Sequence, residues 1–406
     1  MNRDFDVVVY GATGFTGRLV AEYLFKNAPA GLKLGLAGRN LEKLKLIQAS
    51  LGPRAVESEL ILVDANDAQS LQQLAQRTRV VCTTVGPYAL YGLPLVKACA
   101  EAGTHVCDIT GEVQFMRESI DQCDAVAKKT GARIVHTCGF DSIPSDLGLL
   151  MVHEAAKAAG LSGQFTRATL AVERLKGGFS GGTIASLLAG IDDAKVNKSR
   201  RRIMGDAYSL SPDRQNEAQL GSQRDQVSMV YDDFLKRWTA PFVMANVNTR
   251  VVRRSNALLG HAYGKELRYR EVTSLRPGVR GLMFGASLTA GLGALMGSLL
   301  WAPTRKWVEK KLPKPGEGPS AEARAAGGFS IRILAETETG RRFSGRVIGT
   351  SDPGYGETAK MLGESALCLA AGEGTGRVGV LTPATAFGEA LTQRLRNVGM
   401  TFRMES

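Results

Sequence analysis

The chain has 406 residues, of which 44% are hydrophobic and 22% are charged, an ordinary composition for a soluble globular protein with room for two domains. Its 51 Lys and Arg against 39 Asp and Glu give a net charge of +12, which suits an anionic cofactor, an acidic carrier protein, a membrane surface or nucleic acid equally. The six cysteines form no Cys-x-x-Cys pair and the four histidines are widely separated, so the sequence predicts reduced thiols and no metal site.

The two densest basic clusters, residues 198–202 and 250–254, contain no interleaved aromatic residues. They match no nucleic-acid module, so we expect solvated helix faces there and no nucleic-acid partner. The first four residues run straight into a strand with no apolar segment ahead of it, which favours a cytoplasmic protein over a secreted one.

The first 150 residues alternate short apolar strands with helical segments. Strands are predicted at 5–10, 33–37, 60–63, 80–84, 105–108 and 133–136, as fully buried parallel strands would be. Helical segments fall between them, at 18–26, 41–51, 68–76, 93–102 and 115–129. This alternation predicts an α/β fold in which residues 1–150 form an N-terminal Rossmann domain, a doubly wound parallel sheet.

A glycine-rich turn joins the first strand to the first helix. Gly11, Gly14 and Gly17 have the spacing of a dinucleotide-binding loop, in which phosphates face backbone N–H groups and the positive end of the helix dipole. The first glycine permits the tight turn, the second admits the pyrophosphate, and the third lets the helix pack on the strand. The other residues predicted to line this loop are Thr13, Phe15 and Thr16. The alternative is a tight turn without a ligand.

The ends of the second and third strands are predicted to hold the adenosine half of the cofactor. Arg39 follows the second strand, where NAD-selective sites usually have an acidic residue for the ribose 2′-hydroxyl. A guanidinium would instead pair with a 2′-phosphate and favour NADP, unless it only caps the following helix. Asp64 follows the third strand and could accept a hydrogen bond from the adenine amino group.

The turn after the fourth strand should lie beside the nicotinamide ribose, because parallel strands end at one edge of the sheet. This turn consists of Val85, Gly86 and Pro87.

Beyond residue 150 the pattern changes, and we expect an α+β substrate domain over residues 151–350. A strand candidate at 168–174 leads to the glycine-rich turn 180–183, which could bind an anionic or thioester oxygen through its N–H groups or serve as a connector. Alternating apolar residues predict a hairpin with strands at 329–335 and 343–347. Residues 351–406 are expected to form a helical segment that packs back on the first domain.

One largely apolar segment, 281–302, is uncharged, since no charge occurs between Arg280 and Arg305. It is long enough to span a bilayer, and Trp301, Trp307 and several lysines follow it like an interfacial belt. Its many glycines and alanines keep its hydrophobicity modest. Three alternatives stay open: a membrane span, contact with the inner surface of the cell membrane, or a buried helix pair.

Several further motifs are spread along the chain. Besides the glycine turn they are Ala37-Gly38-Arg39, Gly86-Pro87-Tyr88 with Tyr91-Gly92, Asp108-Ile109-Thr110-Gly111-Glu112, residues 139–146, residues 180–183 and Gly354-Tyr355-Gly356-Glu357-Thr358-Ala359-Lys360. Together they resemble the saccharopine dehydrogenase-like oxidoreductases, particularly the branch of mycobacterial trans-acting enoyl reductases. The resemblance implies that NADPH delivers hydride to the β-carbon of an α,β-unsaturated acyl thioester. It also implies an acyl carrier protein or a polyketide synthase as partner.

Such a reduction needs hydrogen-bond donors for an enolate oxygen and an acid near the α-carbon. Tyr88 and Tyr91 follow the fourth-strand turn and could fill either role, or could pack over the cofactor. Asp141 lies beyond the sixth strand, where it or Ser142 could act in catalysis or cap the helix that Pro144 opens. No tyrosine has a lysine four positions later, which excludes the chemistry of short-chain reductases.

Two other functions stay open on the sequence alone. Saccharopine-type chemistry at a C–N bond would need several cationic side chains converging on substrate carboxylates. A non-catalytic NADPH-binding adaptor at a membrane or lipid droplet would need the cofactor site alone.

Overall fold

The computed structural model describes residues 3–177, 198–300, 304–305 and 318–405. Its strands are β1 (Phe5–Tyr10), β2 (Leu34–Gly38), β3 (Glu59–Leu62), β4 (Thr78–Thr83), β5 (His105–Asp108), β6 (Arg133–Val135), β7 (Arg167–Lys176), β8 (Val230–Asp232), β9 (Arg237–Pro241), β10 (Arg268–Ser274), β11 (Gly328–Glu336), β12 (Arg342–Gly349), β13 (Gly379–Leu381) and β14 (Thr401–Glu405). Its helices are α1 (Phe15–Asn27), α2 (Leu41–Ser50), α3 (Pro53–Val56), α4 (Ala68–Arg77), α5 (Tyr88–Ala102), α6 (Val113–Thr130), α7 (Ile143–Ala158), α8 (Lys198–Gly205), α9 (Ala245–Leu258), α10 (Val279–Leu300), α11 (Ala321–Ala325), α12 (Thr358–Ala370), α13 (Pro383–Phe387) and α14 (Glu389–Asn397).

The first sheet has seven strands in the order β13-β6-β5-β4-β1-β2-β3, and every neighbouring pair is parallel. Val7, Val8 and Val9 of the central strand β1 are at most 1% exposed, as expected for a strand covered on both faces. The predicted Rossmann sheet is therefore confirmed, with strand ends that differ from the prediction by one or two residues. The carboxyl ends of its strands share one edge, and this edge positions the site.

The second sheet is mixed, with the order β14-β12-β11-β7-β10-β9-β8. Only β7 and β10 pair in parallel among its described neighbours. The predicted hairpin is present as β11 and β12, whose register runs from Phe329 opposite Gly349 to Glu336 opposite Arg342. This sheet confirms the expected α+β character of the second part of the chain.

The residues after 350 connect the two sheets. Helix α12 packs against α1, β1, β4 and β5 of the first sheet. The same segment also contributes a strand to each sheet, since β13 pairs with β6 and β14 pairs with β12. The sequence pattern indicated only helices here, because a strand of three residues such as β13 is too short to show a periodicity.

The basic cluster at 250–254 is a correction to the sequence analysis. Arg250, Arg253 and Arg254 on α9 are only 6%, 6% and 3% exposed, so the expected solvated face is wrong there. Their guanidinium groups donate to the backbone carbonyls of Met204, Asp206, Tyr269, Leu210 and Val380, among others. The other cluster lies on α8, which has no buried residue and does present the expected solvated face.

Candidate functional site

The turn between β1 and α1 requires glycine at two positions. Gly11 has φ +91°, and an added Cβ would lie 2.8 Å from Thr84 Oγ1 and 2.9 Å from Val85 Cγ2. A Cβ on Gly17 would lie 2.1 Å from the carbonyl oxygen of Gly11. Gly14 is the N-cap residue of α1, provides no side-chain cap, and no acidic residue occupies the first helical turn. Among the described residues, no side chain caps the first N–H groups of α1, which fits a pyrophosphate.

The other residues of the turn face different neighbours. Thr13 lies at the end of β2, because its Oγ1 would be 3.7 Å from a Cβ on Gly38. Thr16 is partly buried within the first turn of α1. The Phe15 ring packs edge-on against Tyr355 with centroids 4.8 Å apart, and Gly318 also touches it. The ring of Phe15 thus contacts the second part of the chain, while its backbone belongs to the glycine turn.

Arg39 is exposed at the end of β2 and has no capping role. The residue that caps α2 is Asn40, whose side-chain oxygen accepts from the N–H of Lys43 at 2.9 Å. This observation removes helix capping as the explanation for an arginine at this position. An exposed guanidinium at the end of the second strand fits a ribose 2′-phosphate.

Asp64 and Arg39 both act electrostatically on the hydroxyl of Tyr10, the last residue of β1. Burial and, to a smaller extent, the charge of Asp64 raise the pKa of Tyr10 to about 12, while the charge of Arg39 opposes the rise. Asp64 is exposed, and its Oδ1 accepts from the N–H of Asn66 at 2.9 Å. Its carboxylate therefore lies at the edge where the adenine is expected, beside the turn that its own hydrogen bond to Asn66 stabilises.

The turn Val85–Pro87 leads directly into α5, and Tyr88 is its first residue. The Tyr88 hydroxyl is buried and donates to the carbonyl oxygen of Thr83 at 3.1 Å. Burial raises the pKa of this phenol well above its usual value. These contacts favour packing over proton donation for Tyr88. Tyr91 lies one turn further along and is half-buried.

Glu112 holds the start of α5 in place. Its carboxylate accepts from the backbone N–H groups of Tyr88 at 2.9 Å and Ala89 at 2.7 Å. A carboxylate that satisfies the first N–H groups of a helix also complements the helix dipole. This geometry favours a structural role for Glu112.

Asp141 is a half-buried carboxyl group beyond β6, at the same edge as the glycine turn. Its Oδ2 would be 3.6 Å from a Cβ on Gly111, so the carboxyl faces the segment after β5. Burial raises its pKa to about 6. The expected helix cap is wrong: Ser142 is the N-cap residue of α7 but makes no side-chain cap, and no bond from Asp141 to the helix is seen within the described chain.

A buried polar network lies directly behind Asp141. The Ser142 hydroxyl donates to Asn248 Oδ1 at 3.2 Å, and Asn248 Nδ2 donates to Glu271 Oε2 at 2.8 Å. The Tyr269 hydroxyl donates to the other oxygen of Glu271 at 2.7 Å. Burial raises the pKa of Glu271 to about 7. No sequence pattern indicated this network, because Ser142 lies 106 residues before its partner Asn248.

His136 has both ring nitrogens occupied within the core. Its Nδ1 lies 2.6 Å from Asp108 Oδ2 and its Nε2 lies 2.9 Å from Ser119 Oγ. His136 is therefore a buried histidine with a partner at each ring nitrogen. The other candidate from the sequence, the turn 180–183, lies outside the described residues.

The motif at 354–360 brings the second part of the chain to the cofactor edge. Thr358 Oγ1 accepts from the N–H of Phe140 at 3.1 Å and donates to the carbonyl of Pro353 at 2.7 Å. Tyr355 in the same motif packs on Phe15, as described above. The motif therefore joins the turn after β6 to the glycine turn after β1.

Comparison with known proteins agrees with this arrangement. The family model of the saccharopine dehydrogenase NADP binding domain matches residues 7–135. A Mycobacterium tuberculosis protein provisionally named a trans-acting enoyl reductase is 44% identical over 99% of this chain and 97% of its own length. Proteins named trans-acting enoyl reductase from Mycobacterium bovis and Mycobacterium ulcerans are 40% and 39% identical, each over 98% of this chain and 97% of their own.

Among solved structures, the apo saccharopine dehydrogenase (L-Glu forming) of Saccharomyces cerevisiae has a similar fold. Its TM-score is 0.52 at 12% identity, over 98% of this chain and 99% of that one. The glycine turn, the exposed Arg39 and the full-length relatives lead to one conclusion. The chain belongs to the trans-acting enoyl reductase family of saccharopine dehydrogenase-like proteins, and it is an NADP-dependent oxidoreductase.

Proposed function

We propose that this chain reduces the carbon–carbon double bond of an α,β-unsaturated acyl thioester that an acyl carrier domain presents. The observation that carries the proposal is the pairing of an NADP-type glycine turn with a half-buried carboxyl, Asp141, at the same sheet edge. The names of the full-length relatives support the same reaction class.

The chain's own residues would hold the cofactor along this edge. Gly11, Gly14 and Gly17 would admit the pyrophosphate to the N-terminus of α1. Arg39 would pair with the 2′-phosphate, and Asp64 would accept from the adenine amino group. The turn after β4 would line the nicotinamide ribose. NADPH, when bound, supplies the hydride that reaches the β-carbon of the substrate.

The α-carbon must then receive a proton, and Asp141 is the best-placed acid. A carboxyl whose pKa lies about 6 keeps part of its proton near neutral pH, which suits a general acid. Tyr91 is the second candidate, since it is half-buried at the start of α5. Tyr88 is the weakest, because its hydroxyl is already donated to Thr83.

Amino-acid chemistry of the saccharopine type is not favoured by the arginines of the second part of the chain. Binding of substrate carboxylates would need free cationic groups directed at the cleft. Arg253 and Arg254 donate instead to the carbonyls of Tyr269 and Leu210, which ties them to the backbone. The positive net charge of +12 suits an acidic carrier protein, and this supports a carrier-bound acyl substrate.

The test is NADPH oxidation by the full chain with crotonyl-pantetheine and with the same acyl group on a carrier protein. We expect turnover with both thioesters, faster on the carrier, and none with saccharopine. A β-ketoacyl thioester is the control for ketone reduction and should not be consumed. Tight NADPH binding without turnover of any enoyl thioester would instead support the adaptor role and overturn the proposal.

A further inference from the structure

We propose that helix α10 lies in the plane of an anionic membrane surface, with its apolar side chains in the lipid and its flanking cations at the headgroups. Among the described residues, this is the one helix long and apolar enough to cross a membrane. Its exposure, the residues that it packs against and the charges around it indicate how it contacts the membrane.

The helix is apolar and largely uncovered. Residues Val279–Leu299 have a mean hydropathy of 1.5, and only 12% of that apolar window is buried. Val279, Met283 and Phe284 are 71%, 66% and 58% exposed. A buried helix pair, one of the alternatives from the sequence, does not fit this exposure. So much uncovered apolar surface indicates a lipid or protein contact.

The first turns of α10 hold the helix against the second sheet. A Cβ on Gly285 would lie 2.3 Å from Leu275 Cδ1 and 3.1 Å from Met229 Sδ, so this face is closely packed. The N–H of Leu275 donates to the carbonyl of Trp238 at 2.9 Å, which ties the contact to β9. Between this anchor and the buried Leu299, the described residues of the helix are exposed or half-buried.

The hairpin beside the helix also exposes aromatic side chains. Tyr231 on β8 and Trp238 on β9 lie opposite each other, with ring centroids 5.7 Å apart. They are 45% and 42% exposed, and the nearby Val227 is 83% exposed. Tyrosine and tryptophan with one apolar and one polar end are enriched where a membrane meets water. An apolar helix and an aromatic pair thus adjoin on one sheet edge.

The chain path argues against a membrane span. Gly285 packs on the second sheet and Gly318 packs on Phe15, so the chain leaves and rejoins the same folded body. A crossing would require residues 301–317 to return through the bilayer. That stretch carries Arg305, Lys306, Glu309, Lys310, Lys311, Lys314 and Glu317, and charges in the hydrocarbon core are costly. A helix lying in the interface avoids this return.

The charges around the surface are complementary to anionic lipid. Arg276 and Arg280 are exposed before and at the start of α10, and Lys236 and Arg237 are exposed at the end of the β8–β9 hairpin. Asp233 is the exposed carboxylate in the same hairpin. Four cations against one anion beside an apolar helix are the pattern of an interfacial helix that prefers anionic headgroups.

The experiment is cosedimentation of the full chain with vesicles of phosphatidylcholine alone or mixed with phosphatidylglycerol. We expect binding to the anionic vesicles that weakens as salt is added, and little binding to the neutral ones. The double substitution Met283→Glu and Phe284→Glu should lower the bound fraction about tenfold, because charged groups enter lipid poorly. Leu46→Glu is the matched control: Leu46 is 71% exposed on α2 of the first sheet and should change nothing.

A second measurement distinguishes the mode of contact. The chain has three tryptophans, so Trp301→Phe with Trp307→Phe leaves Trp238 as the reporter. We expect its fluorescence to shift to the blue with anionic vesicles and to be quenched more by lipids brominated near the headgroup than near the chain end. NADPH binding by each variant checks the fold. The proposal is overturned if the chain does not bind the anionic vesicles, or if the double Glu variant binds them like the wild type. It is also overturned if an acidic carrier protein, and not lipid, shields the helix.

Discussion

The two sheets of this molecule carry their chemistry in different ways. In the first, every strand is parallel, the strand ends share one edge, and three glycines within seven residues build the phosphate turn. In the second, the polar groups near the site come from segments far apart, as the contact of Asn248 with Ser142 and Glu271 shows. Cofactor binding is thus a local backbone property, whereas the substrate side depends on long-range packing.

The largest effect is expected at Asp141, the proposed proton donor. Asp141→Asn should lower kcat at least about 100-fold if this group supplies the proton. The wild-type rate should fall as pH rises through about 6, because the carboxyl must be protonated, and the variant should lack this inflection. Initial rates across pH with crotonyl-pantetheine measure both.

The control is the free energy of unfolding, because a carboxyl with a raised pKa stabilises the fold least when it is ionised. The contribution of Asp141 is fully present at low pH and is lost as pH rises through about 6, so the Asn variant should be no less stable than the wild type at pH 8. If Asp141→Asn leaves kcat unchanged while Tyr91→Phe abolishes turnover, the proton donor is Tyr91 and not Asp141.

The next effect tests the local character of the cofactor turn. Gly17→Ala places a Cβ 2.1 Å from the carbonyl oxygen of Gly11. The backbone must shift to relieve this clash. At an overpacking cost of about 3 kcal/mol, NADPH affinity should fall by up to about 100-fold in titration calorimetry. Gly14→Ala, with 3.3 Å to the same oxygen, should have a smaller effect, and Gly205→Ala, which meets nothing within 4 Å, should have none. Equal losses in all three would contradict the steric account.

Arg254 tests the long-range packing of the second region. Burial lowers its pKa to about 10, so it stays charged at neutral pH while it donates to Leu210 and Val380. Arg254→Met leaves two buried carbonyls without donors and should cost about 2 to 4 kcal/mol in urea unfolding. Arg201→Met on the exposed helix α8 is the control and should be neutral. A neutral Arg254→Met would mean that this buried guanidinium does not hold the domain together.

The smallest effect is a change in cofactor preference. Arg39→Asp should lower the NADPH to NADH affinity ratio about tenfold or more, since a carboxylate repels the 2′-phosphate and accepts from a 2′-hydroxyl. Arg39 is exposed and Asn40 provides the cap, so the melting temperature should not change. Arg201→Asp changes the net charge equally and serves as the control. An unaltered ratio would remove Arg39 from the cofactor site.

The same difference between local features and long-range packing explains what the sequence predicts well. The first six strands, the glycine turn and Arg39 are readable from the sequence because each depends on a few consecutive residues. Helix capping by Asp141 or Ser142 was the wrong expectation, because capping is a local pattern whereas the Ser142 hydroxyl donates to the distant Asn248. The arginines of α9 were assigned to solvent for the same reason: their carbonyl partners are contributed by other parts of the chain.

The central claim is reduction at the β-carbon of an enoyl thioester, and isotope labelling tests it most directly. NADPH carrying deuterium at the transferred position should leave the label on the β-carbon of the saturated acyl product, with a solvent-derived hydrogen on the α-carbon. Mass spectrometry of the product locates both. Label at the carbonyl carbon, or release of unreacted enoyl thioester while NADPH is consumed, would contradict the account.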